Sequence, residues 1–200
     1  MSIESYNKKA SSYDNHRNYC PGWADCFKFI KSTDFSNKSI LDLGCGTGIF
    51  MEKINNLSPE KLDGVDPSKD MILKAKERMS KYENVKFFLE IPKNYKYDLI
   101  FSSQVLQNLT LNSSIIKSTR IEFLKIIFNN LLSGGTTIIT TRYKKSSGYD
   151  DMYWYVDKDL MPNSFNHMNN VVPDYRELIN ELKNIGFIDI EYKVSDDIIY

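Results

Sequence analysis

The stretch Ile40–Phe50 reads ILDLGCGTGIF, and it decides the expected fold of this chain. Its first residues are mostly apolar, as in a buried strand, and glycines then occupy alternate positions at Gly44, Gly46 and Gly48. A glycine-rich turn after a strand lets backbone approach a ligand closely, because no Cβ atom stands in the way. The stretch therefore predicts a strand, a ligand-binding turn and a following helix.

The composition indicates one globular domain over residues 1–200. A chain of 200 residues buries enough apolar surface to fold without metal or disulfide staples. No uncharged apolar run comes near the roughly 20 residues that span a bilayer, and the N-terminus MSIESYNKKA does not resemble a signal peptide. We expect a cytoplasmic protein without membrane contact, either a monomer or a homodimer.

Charge and cysteine content disfavour nucleic acid and metal ions as partners. Lys plus Arg and Asp plus Glu both number 26, so no excess positive charge favours nucleic acid as a partner. The spacing of Cys20, Cys26 and Cys45 matches neither a zinc ribbon nor a CxxC pair. We therefore expect reduced thiols and no metal site.

Short β-like runs alternate with helical patterns along the chain. The candidate strands are Ser39–Leu43, Lys61–Val65, Val85–Leu89, Asp98–Ser102 and Thr136–Thr141. Apolar residues at helical spacing follow Ser68 (Met71, Ile72, Ala75, Met79), precede Gly134 (Ile121, Leu124, Phe128, Leu131) and precede Gly186 (Tyr175, Leu178, Ile179, Leu182, Ile185). Two more strand-like runs, FIDIEYKV and DDIIY, close the chain.

This order predicts a doubly wound α/β fold with helices on both faces of a mostly parallel sheet. The sheet would have seven strands, the last two forming an antiparallel pair. Ligands of such sheets bind at the carboxyl ends of the strands. Residues 1–36 and 142–173 lie outside this pattern, and we interpret the first as an N-terminal lid and the second as a lid or acceptor-binding insertion.

Two aspartates indicate which ligand the glycine turn binds. Asp66 ends the second candidate strand, 20 residues after Gly46, where a carboxylate accepts hydrogen bonds from ribose hydroxyls. Asp42 lies just before the turn, where it would repel the pyrophosphate of a dinucleotide and attract an ammonium group. S-adenosylmethionine carries an ammonium and a sulfonium but no phosphate, so the sign of Asp42 favours that cofactor.

The chain resembles the class I S-adenosylmethionine-dependent methyltransferases of the small-molecule group that includes the ubiquinone and menaquinone biosynthesis type. ILDLGCGTG is similar to the first motif of that family, and GVDPSKDMILKAKER to its ribose-binding strand end and helix. YDLIFSSQVLQNL resembles the fourth strand, and LLSGGTTIITT the helix, turn and strand that follow. The resemblance implies a Rossmann-like fold with a helical N-terminal lid, and S-adenosylhomocysteine as the cofactor product.

The same resemblance assigns cofactor contacts. It places Gly44 and Gly46 against the methionine portion and Asp42 near its ammonium group, with Asp66 on the ribose. The residues implied at the adenine are Pro67, Met71, Glu90 and Ile91, although Met71 also suits a core position and Glu90 a solvated loop. Ser102 is implied at the methionine end, unless its hydroxyl caps a backbone group. Tyr13 and Arg17 are implied at the cofactor carboxylate, with a surface role as the alternative for Arg17.

The expected acceptor is a small molecule or a peptide, methylated on an O or N atom by in-line displacement, which requires positioning more than an obligate catalytic group. Where many relatives carry histidines, this chain has Gln107 and Asn108, which cannot act as bases near neutral pH. His167 is the candidate base, with a structural role as the alternative. The candidate acceptor-binding residues are Gln104, Gln107, Arg142, Tyr143, Tyr153 and Tyr155, of which the aromatic ones also suit packing of a lid.

Two other functions remain open from the sequence. The same cofactor residues suit a regulator or non-catalytic partner subunit that binds S-adenosylmethionine, and a glycine turn after a strand also occurs in NAD-dependent oxidoreductases. Amino methylation of DNA bases is disfavoured, because SSQV stands where a DPPY or NPPY motif would follow the fourth strand.

Overall fold

The computed structural model describes Ala10, Asp14, residues 33–110, Asn112, residues 114–141 and residues 173–193. The chain divides into two compact units, the first made of residues 1–103 and 130–140, and the second of residues 104–129 and 141–200. Each unit is described separately.

The first unit contains a parallel β-sheet of five strands. These are β1 (Ser39–Leu43), β2 (Lys61–Val65), β3 (Val85–Phe88), β4 (Tyr97–Ser103) and β5 (Leu131–Thr140), in the spatial order β3-β2-β1-β4-β5. Strand β1 pairs with β2 on one side, with Asp42 opposite Gly64, and with β4 on the other, with Asp42 opposite Phe101. The order reverses at β1, so the doubly wound topology predicted from the sequence is confirmed.

Two helices of the first unit pack on this sheet. Helix α1 (Ile49–Asn55) follows the glycine turn, and helix α2 (Lys69–Arg78) follows β2. Ser68 is the N-cap of α2, as its position before the apolar stripe predicts, and its Oγ accepts a hydrogen bond from the Met71 amide at 3.2 Å. The buried core joins helix side chains (Phe50, Met51, Ile54, Ile72 and Met79) to strand side chains (Ile40, Leu62, Leu99, Phe101 and Ile138).

A buried polar cluster links two of the strands. Asp63 in β2 is fully buried, and its Oδ2 atom accepts a hydrogen bond from the Tyr97 hydroxyl at 2.8 Å. The Lys61 ammonium lies 2.8 Å from the same oxygen. These two partners compensate the burial of Oδ2, whereas Asp63 Oδ1 has no hydrogen-bond partner among the described residues.

The second unit contains a 3₁₀ turn at Leu106–Asn108, most of helix α3 (Ile116–Asn130) and helix α4 (Tyr175–Ile185). Arg120 on α3 is 3% exposed, and its Nε and Nη2 atoms donate to the two carboxylate oxygens of Glu181 on α4 at 2.7 and 2.6 Å. Glu177 on α4 lies 3.4 Å from the same guanidinium. This bidentate pair fixes the register of α3 against α4.

Two sequence predictions need correction. The described residues form five strands, all parallel, and Phe187–Lys193 is not a strand. For the described residues, the prediction of a seven-stranded sheet with an antiparallel C-terminal pair is therefore wrong. The cause is local, because Asp189 has a left-handed φ of 51°, which a strand does not accommodate, and the ring of Phe187 packs edge-on against Phe128 at 5.0 Å. Leu131, predicted in the helix, instead begins β5 opposite Tyr97.

Helices on both faces of the sheet remain a prediction, as does the helical lid at residues 1–36, most of which lie outside the described residues. The insertion proposed at residues 142–173 lies outside them too, apart from Pro173. Among the described helices, none is long and apolar enough to cross a membrane.

Candidate cofactor site

The glycine turn has the backbone geometry that only glycine adopts easily. Gly44, Gly46 and Gly48 have φ values of 85°, 53° and 80°, all in the left-handed region. The amides of Gly44 and Cys45 donate to the carbonyl oxygen of Val65 at 2.8 and 3.0 Å, which fastens the turn to the end of β2. The glycine turn is therefore fixed at the carboxyl ends of β1 and β2, where ligands of doubly wound sheets bind.

Helix α2 supports the outer side of this turn. A Cβ atom on Gly48 would lie 3.3 Å from that of Ala75, so glycine allows the close approach of α1 to α2. At the last residue of α2, Arg78 donates from Nε to the carbonyl oxygen of Thr47 at 3.0 Å. Its other guanidinium nitrogens pair with Glu52, at 3.4 Å, and with Asp14. One arginine thus fixes the turn to both helices.

Asp14 completes this arrangement from the N-terminal segment. It accepts a hydrogen bond from the Thr47 hydroxyl at 2.6 Å through Oδ1, and its Oδ2 pairs with Arg78. Thr47 is 2% exposed, so its hydroxyl requires a partner of this kind. The contact attaches residue 14 to the glycine turn.

Asp66 holds the turn and keeps acceptor capacity for a ligand. Its Oδ2 atom accepts from the Gly46 amide at 3.0 Å, and its Oδ1 from the Ser68 amide at 2.9 Å. Burial raises the pKa of Asp66, and these two hydrogen bonds oppose that rise. Each oxygen has a second acceptor position, which suits the hydroxyls of a ribose.

Asp42 is the least compensated polar group of the site. Its side chain is 2% exposed, and no donor in the described part of the chain reaches its Oδ2 atom. Burial, and secondly the negative charge of Asp66, raise the pKa of Asp42 to about 8. A buried carboxylate in this state requires a cation or a hydrogen-bond donor.

An ammonium group satisfies both needs at once, because it is a cation with N–H donors. The unpartnered oxygen of Asp42 and the spare acceptor positions of Asp66 therefore fit the α-ammonium and the ribose of S-adenosylmethionine. Cys45, between the first two glycines, is free and buried, and burial followed by the charge of Asp42 raises the pKa of its thiol. It is a packing residue of the turn, not a nucleophile.

Residues 34–185 match the family model described as a methyltransferase domain. The chain belongs to the class I S-adenosylmethionine-dependent methyltransferase family. Its glycine turn, its acidic residue at the end of β2 and its strand order are thus those of a methyltransferase cofactor site, and S-adenosylmethionine is the cofactor of the family.

Curated methyltransferase relatives differ in what they do. Malonyl-[acyl-carrier protein] O-methyltransferase 1 of Ilyobacter polytropus is 36% identical over 109 residues, 52% of this chain and 41% of that protein. A carboxy-S-adenosyl-L-methionine synthase of Campylobacter fetus is 30% identical in an alignment of 197 positions, which covers 86% of this chain and 79% of that protein. Other relatives are named tRNA U34 carboxymethyltransferase. The chain thus spans about two fifths of the first relative and most of the second.

A solved structure shows the same methyltransferase fold. Phosphoethanolamine N-methyltransferase 2 of Haemonchus contortus, in complex with S-adenosyl-L-methionine, superposes with a TM-score of 0.69 at 19% identity. The match covers 96% of this chain and 45% of that one.

The residues predicted to lie beside the adenine have distinct environments. Met71 is 1% exposed in the first turn of α2, whereas Pro67 and Glu90 are exposed and Ile91 is half-buried. Their contacts with adenine remain predictions. The position of Glu90 in a solvated bend after β3 also suits the alternative of a loop acid.

Ser102, near the end of β4, is 1% exposed and donates from Oγ to the carbonyl oxygen of Leu43 at 3.0 Å. Its hydroxyl proton therefore caps the end of β1, the alternative that the sequence left open. A lone pair of this hydroxyl remains for a ligand, so the cofactor contact stays a prediction.

The second unit places polar side chains directly after β4. Gln107 is 5% exposed, and its Nε2 donates to Gln104 Oε1 at 2.8 Å. Thr141 Oγ1 donates to Gln107 Oε1 at 3.0 Å, and Asn108 Nδ2 to the Gln104 carbonyl oxygen at 2.8 Å. Gln104 and Gln107, both predicted to bind the acceptor, are thus brought together.

Several predicted site residues lie outside the described residues. These are Tyr13, Arg17, Arg142, Tyr143, Tyr153, Tyr155 and His167. The sequence prediction missed three residues that hold the turn, Asp14, Thr47 and Arg78. The only local signal was the adjacency of Asp14 to the predicted Tyr13, because the three meet through tertiary contacts between distant segments.

Proposed function

We propose that this methyltransferase transfers a methyl group from S-adenosylmethionine to an oxygen atom, or otherwise a nitrogen atom, of a small-molecule or peptide acceptor. The observation that carries the proposal is the unpartnered, buried oxygen of Asp42 beside the glycine turn. A cationic amine stabilises the ionised form of Asp42, whereas a pyrophosphate would disfavour it.

In this proposal the chain binds and orients the cofactor. Asp42 accepts from the α-ammonium, Asp66 accepts from the ribose hydroxyls, and Gly44 and Gly46 give the methionine portion close access to the backbone. Pro67, Met71, Glu90 and Ile91 surround the adenine, Ser102 contacts the methionine end, and Tyr13 and Arg17 contact the carboxylate. The cofactor supplies an electrophilic sulfonium methyl, and alignment of the acceptor and exclusion of water supply much of the acceleration.

The relatives support oxygen as the acceptor atom without defining the substrate. The I. polytropus relative is named an O-methyltransferase of malonyl-[acyl-carrier protein]. We propose a small acceptor and no nucleic acid, because the net charge is zero. His167, as a base, and Arg142, Tyr143, Tyr153 and Tyr155, as acceptor contacts, are part of the proposal, as are a cytoplasmic location and a monomeric or dimeric state.

A second candidate function is modification of S-adenosylmethionine itself. The C. fetus relative, which matches 86% of this chain, is named a carboxy-S-adenosyl-L-methionine synthase. Mass spectrometry of the cofactor after incubation with a metabolite extract separates the two functions, since methyl transfer yields S-adenosylhomocysteine and the synthase reaction yields a carboxylated cofactor.

Calorimetry tests the cofactor assignment. We expect micromolar binding of S-adenosylmethionine and S-adenosylhomocysteine, and the proposal fails if NADH binds in their place. Binding without any labelled product, from an extract that includes tRNA, would favour a regulator or partner subunit.

Asp66→Ala is expected to weaken cofactor binding by ~1 to 3 kcal/mol, because hydrogen bonds to a charged group are lost. The variant must first be shown to fold, since Asp66 also accepts from the Gly46 and Ser68 amides. Unchanged affinity in a folded Asp66→Ala protein would refute its ribose role.

A further inference from the structure

We propose that Asp14 is a positioning residue for the cofactor, which acts on the glycine turn through Thr47 and Arg78. The attachment of residue 14 to the turn and the binding of S-adenosylmethionine then stabilise each other. The inference rests on the proposed function and deepens it, because it gives a role in binding to a residue that need not touch the cofactor. All the residues that it uses lie in the first unit.

Asp14 is attached to the turn through both oxygens of its carboxylate. Oδ1 accepts a hydrogen bond from the Thr47 hydroxyl at 2.6 Å, and Oδ2 pairs with the Arg78 guanidinium. These partners are 33 and 64 residues away in sequence, so the contacts do not follow from local chain geometry. Hydrogen bonds to a charged acceptor are stronger than those between neutral groups. The side chain of Asp14 therefore attaches a distant part of the chain to the turn.

Thr47 is the residue of the turn on which these contacts act. It lies between Gly46 and Gly48, whose φ values of 53° and 80° are both left-handed. Glycine has a wide range of accessible backbone conformations, so the two glycines alone do not fix the residue between them. The Thr47 hydroxyl is held by Asp14, and its carbonyl oxygen accepts from Arg78 Nε at 3.0 Å. Because Thr47 is held at both groups, the glycines beside it have fewer conformations available.

This restriction extends to the acid that is proposed to bind the ribose. The Gly46 amide, one residue before Thr47, donates to Asp66 Oδ2 at 3.0 Å. A change of the backbone at Gly46 would remove this donor and would alter the acceptor positions that Asp66 presents to a ligand. A site that is ordered before binding loses less conformational entropy on binding than a mobile one. Asp14 should thus raise cofactor affinity without contacting the cofactor.

Substitution of Asp14 should loosen the turn without unfolding the protein. It removes the acceptor of the Thr47 hydroxyl, which is buried, and a buried hydroxyl without a partner is costly. Arg78, however, keeps its contacts with the Thr47 carbonyl oxygen and with Glu52 at 3.4 Å. We therefore expect Asp14→Ala to fold and to bind the cofactor weakly.

Thermodynamic linkage makes the effect measurable in both directions. If attachment of residue 14 strengthens cofactor binding by some factor, the cofactor strengthens the attachment by the same factor. S-adenosylhomocysteine should therefore slow amide hydrogen exchange in a peptide that contains residue 14. In Asp14→Ala this slowing should be lost, whereas a residue with only a structural role would leave it in place.

Calorimetry with S-adenosylhomocysteine measures the effect on affinity. The wild-type chain is compared with Asp14→Ala, with Thr47→Val, with the double variant and with Thr47→Ser, which keeps the hydroxyl. Asp34→Ala is the matched control, since its carboxylate is 71% exposed in the same unit and pairs locally with Ser36 and Lys38. Thermal unfolding shows whether each variant is folded.

We expect Asp14→Ala and Thr47→Val each to weaken binding by about tenfold. Thr47→Ser should stay within about threefold of wild type and Asp34→Ala within about twofold. The double variant should lose far less than the roughly hundredfold product of the two single losses, because both changes break the same contact.

Wild-type affinity in a folded Asp14→Ala protein would overturn the inference, as would a double variant whose loss equals the product of the single losses. Hydrogen exchange at residue 14 that S-adenosylhomocysteine leaves unchanged in the wild-type chain would overturn it even if no variant folds. Absence of binding to the wild-type chain would instead overturn the proposed function, so the two failures are distinct.

Discussion

Asp42→Asn should stabilise the ligand-free fold at neutral pH. The buried carboxyl group has a pKa of about 8 in the folded chain against an ordinary value of 3.8. Between these values the unfolded chain is ionised at this position and the folded chain is protonated. Because folding then requires proton uptake, the contribution of Asp42 is most favourable below about pH 4 and is lost as pH rises toward 8.

The size of this effect follows from the shift. Each pH unit between the two pKa values costs about 1.4 kcal/mol of unfolding free energy, so roughly three units amount to about 4 kcal/mol at pH 7. Asparagine does not titrate and recovers this cost, less about 1 kcal/mol for altered hydrogen bonding in a buried site. We expect Asp42→Asn to gain about 2 to 4 kcal/mol at pH 7 and little at pH 4.

Urea unfolding of wild type and Asp42→Asn without cofactor, at pH 5, 6, 7 and 8, measures this difference. The gain should grow by about 1.4 kcal/mol per pH unit up to about pH 7.5 and then level off. A gain that does not vary with pH would refute the proposed origin of the stabilisation.

Asp42→Asn should weaken cofactor binding, although it stabilises the ligand-free fold. Loss of a charged partner for the ammonium is expected to weaken S-adenosylmethionine binding by about tenfold or more, from a cost of about 1.5 to 3 kcal/mol. Binding to wild type near pH 7 should also release a proton, because a cation lowers the pKa of Asp42. Calorimetry in buffers of different ionisation enthalpy measures that release, and equal affinity in the two proteins would refute the ammonium contact.

Asp63→Asn is the control for removing a buried carboxylate elsewhere in the sheet. Asp63 is fully buried in β2 and is paired with Lys61 and the Tyr97 hydroxyl. Its substitution leaves the lysine without its carboxylate, so we expect destabilisation and unchanged cofactor affinity.

Arg78→Ala should lower stability by about 1 to 2 kcal/mol and should also lower cofactor affinity, because the carbonyl of Thr47 and two carboxylates lose a partner. Thermal unfolding measures the stability and calorimetry the affinity. Full affinity in Arg78→Ala would show that the turn does not depend on this contact. Arg120→Met should lower the free energy of unfolding by about 3 to 5 kcal/mol, because Glu181 is left charged and buried. Arg120→Met combined with Glu181→Leu should lower it much less. A double variant as unstable as the single one in urea unfolding would contradict this account.

The regular part of the fold could be predicted because buried parallel strands read as apolar runs. Ser39–Leu43 and Lys61–Val65 are strands with the predicted bounds. Ser68 caps the start of α2 and Gly186 caps the end of α4, through chemistry that is local in sequence. Leu131 was misplaced because an apolar residue after a helical stripe fits either a helix or a strand. Tertiary pairing with β4 decided between them.

The electrostatic state of the site could be predicted only in part. The sign of the charge at Asp42 follows from its residue type, and its place before the glycines follows from the sequence. Its lack of a partner, however, depends on which donors the folded chain brings near. The backbone of Gln104 could not be predicted either. Its left-handed conformation depends on contacts with Asn108 and Gln107, and no glycine in the sequence indicates it.

The two acids at the turn select the ligand by charge, and the magnitudes indicate which cofactor is favoured. A helix N-terminus contributes about 0.3 to 1 kcal/mol to binding an anion at an exposed site, and α1 has only seven residues. A unit charge about 4 Å from a carboxylate interacts by about 4 kcal/mol at an effective dielectric constant of 20. Repulsion by one ionised carboxylate at this distance would therefore outweigh the dipole for a pyrophosphate. Burial raises the pKa of both carboxylates, and the negative charge of Asp66 raises the pKa of Asp42 further. An ammonium ion stabilises their ionised forms, so we expect the turn to bind S-adenosylmethionine in preference to NAD.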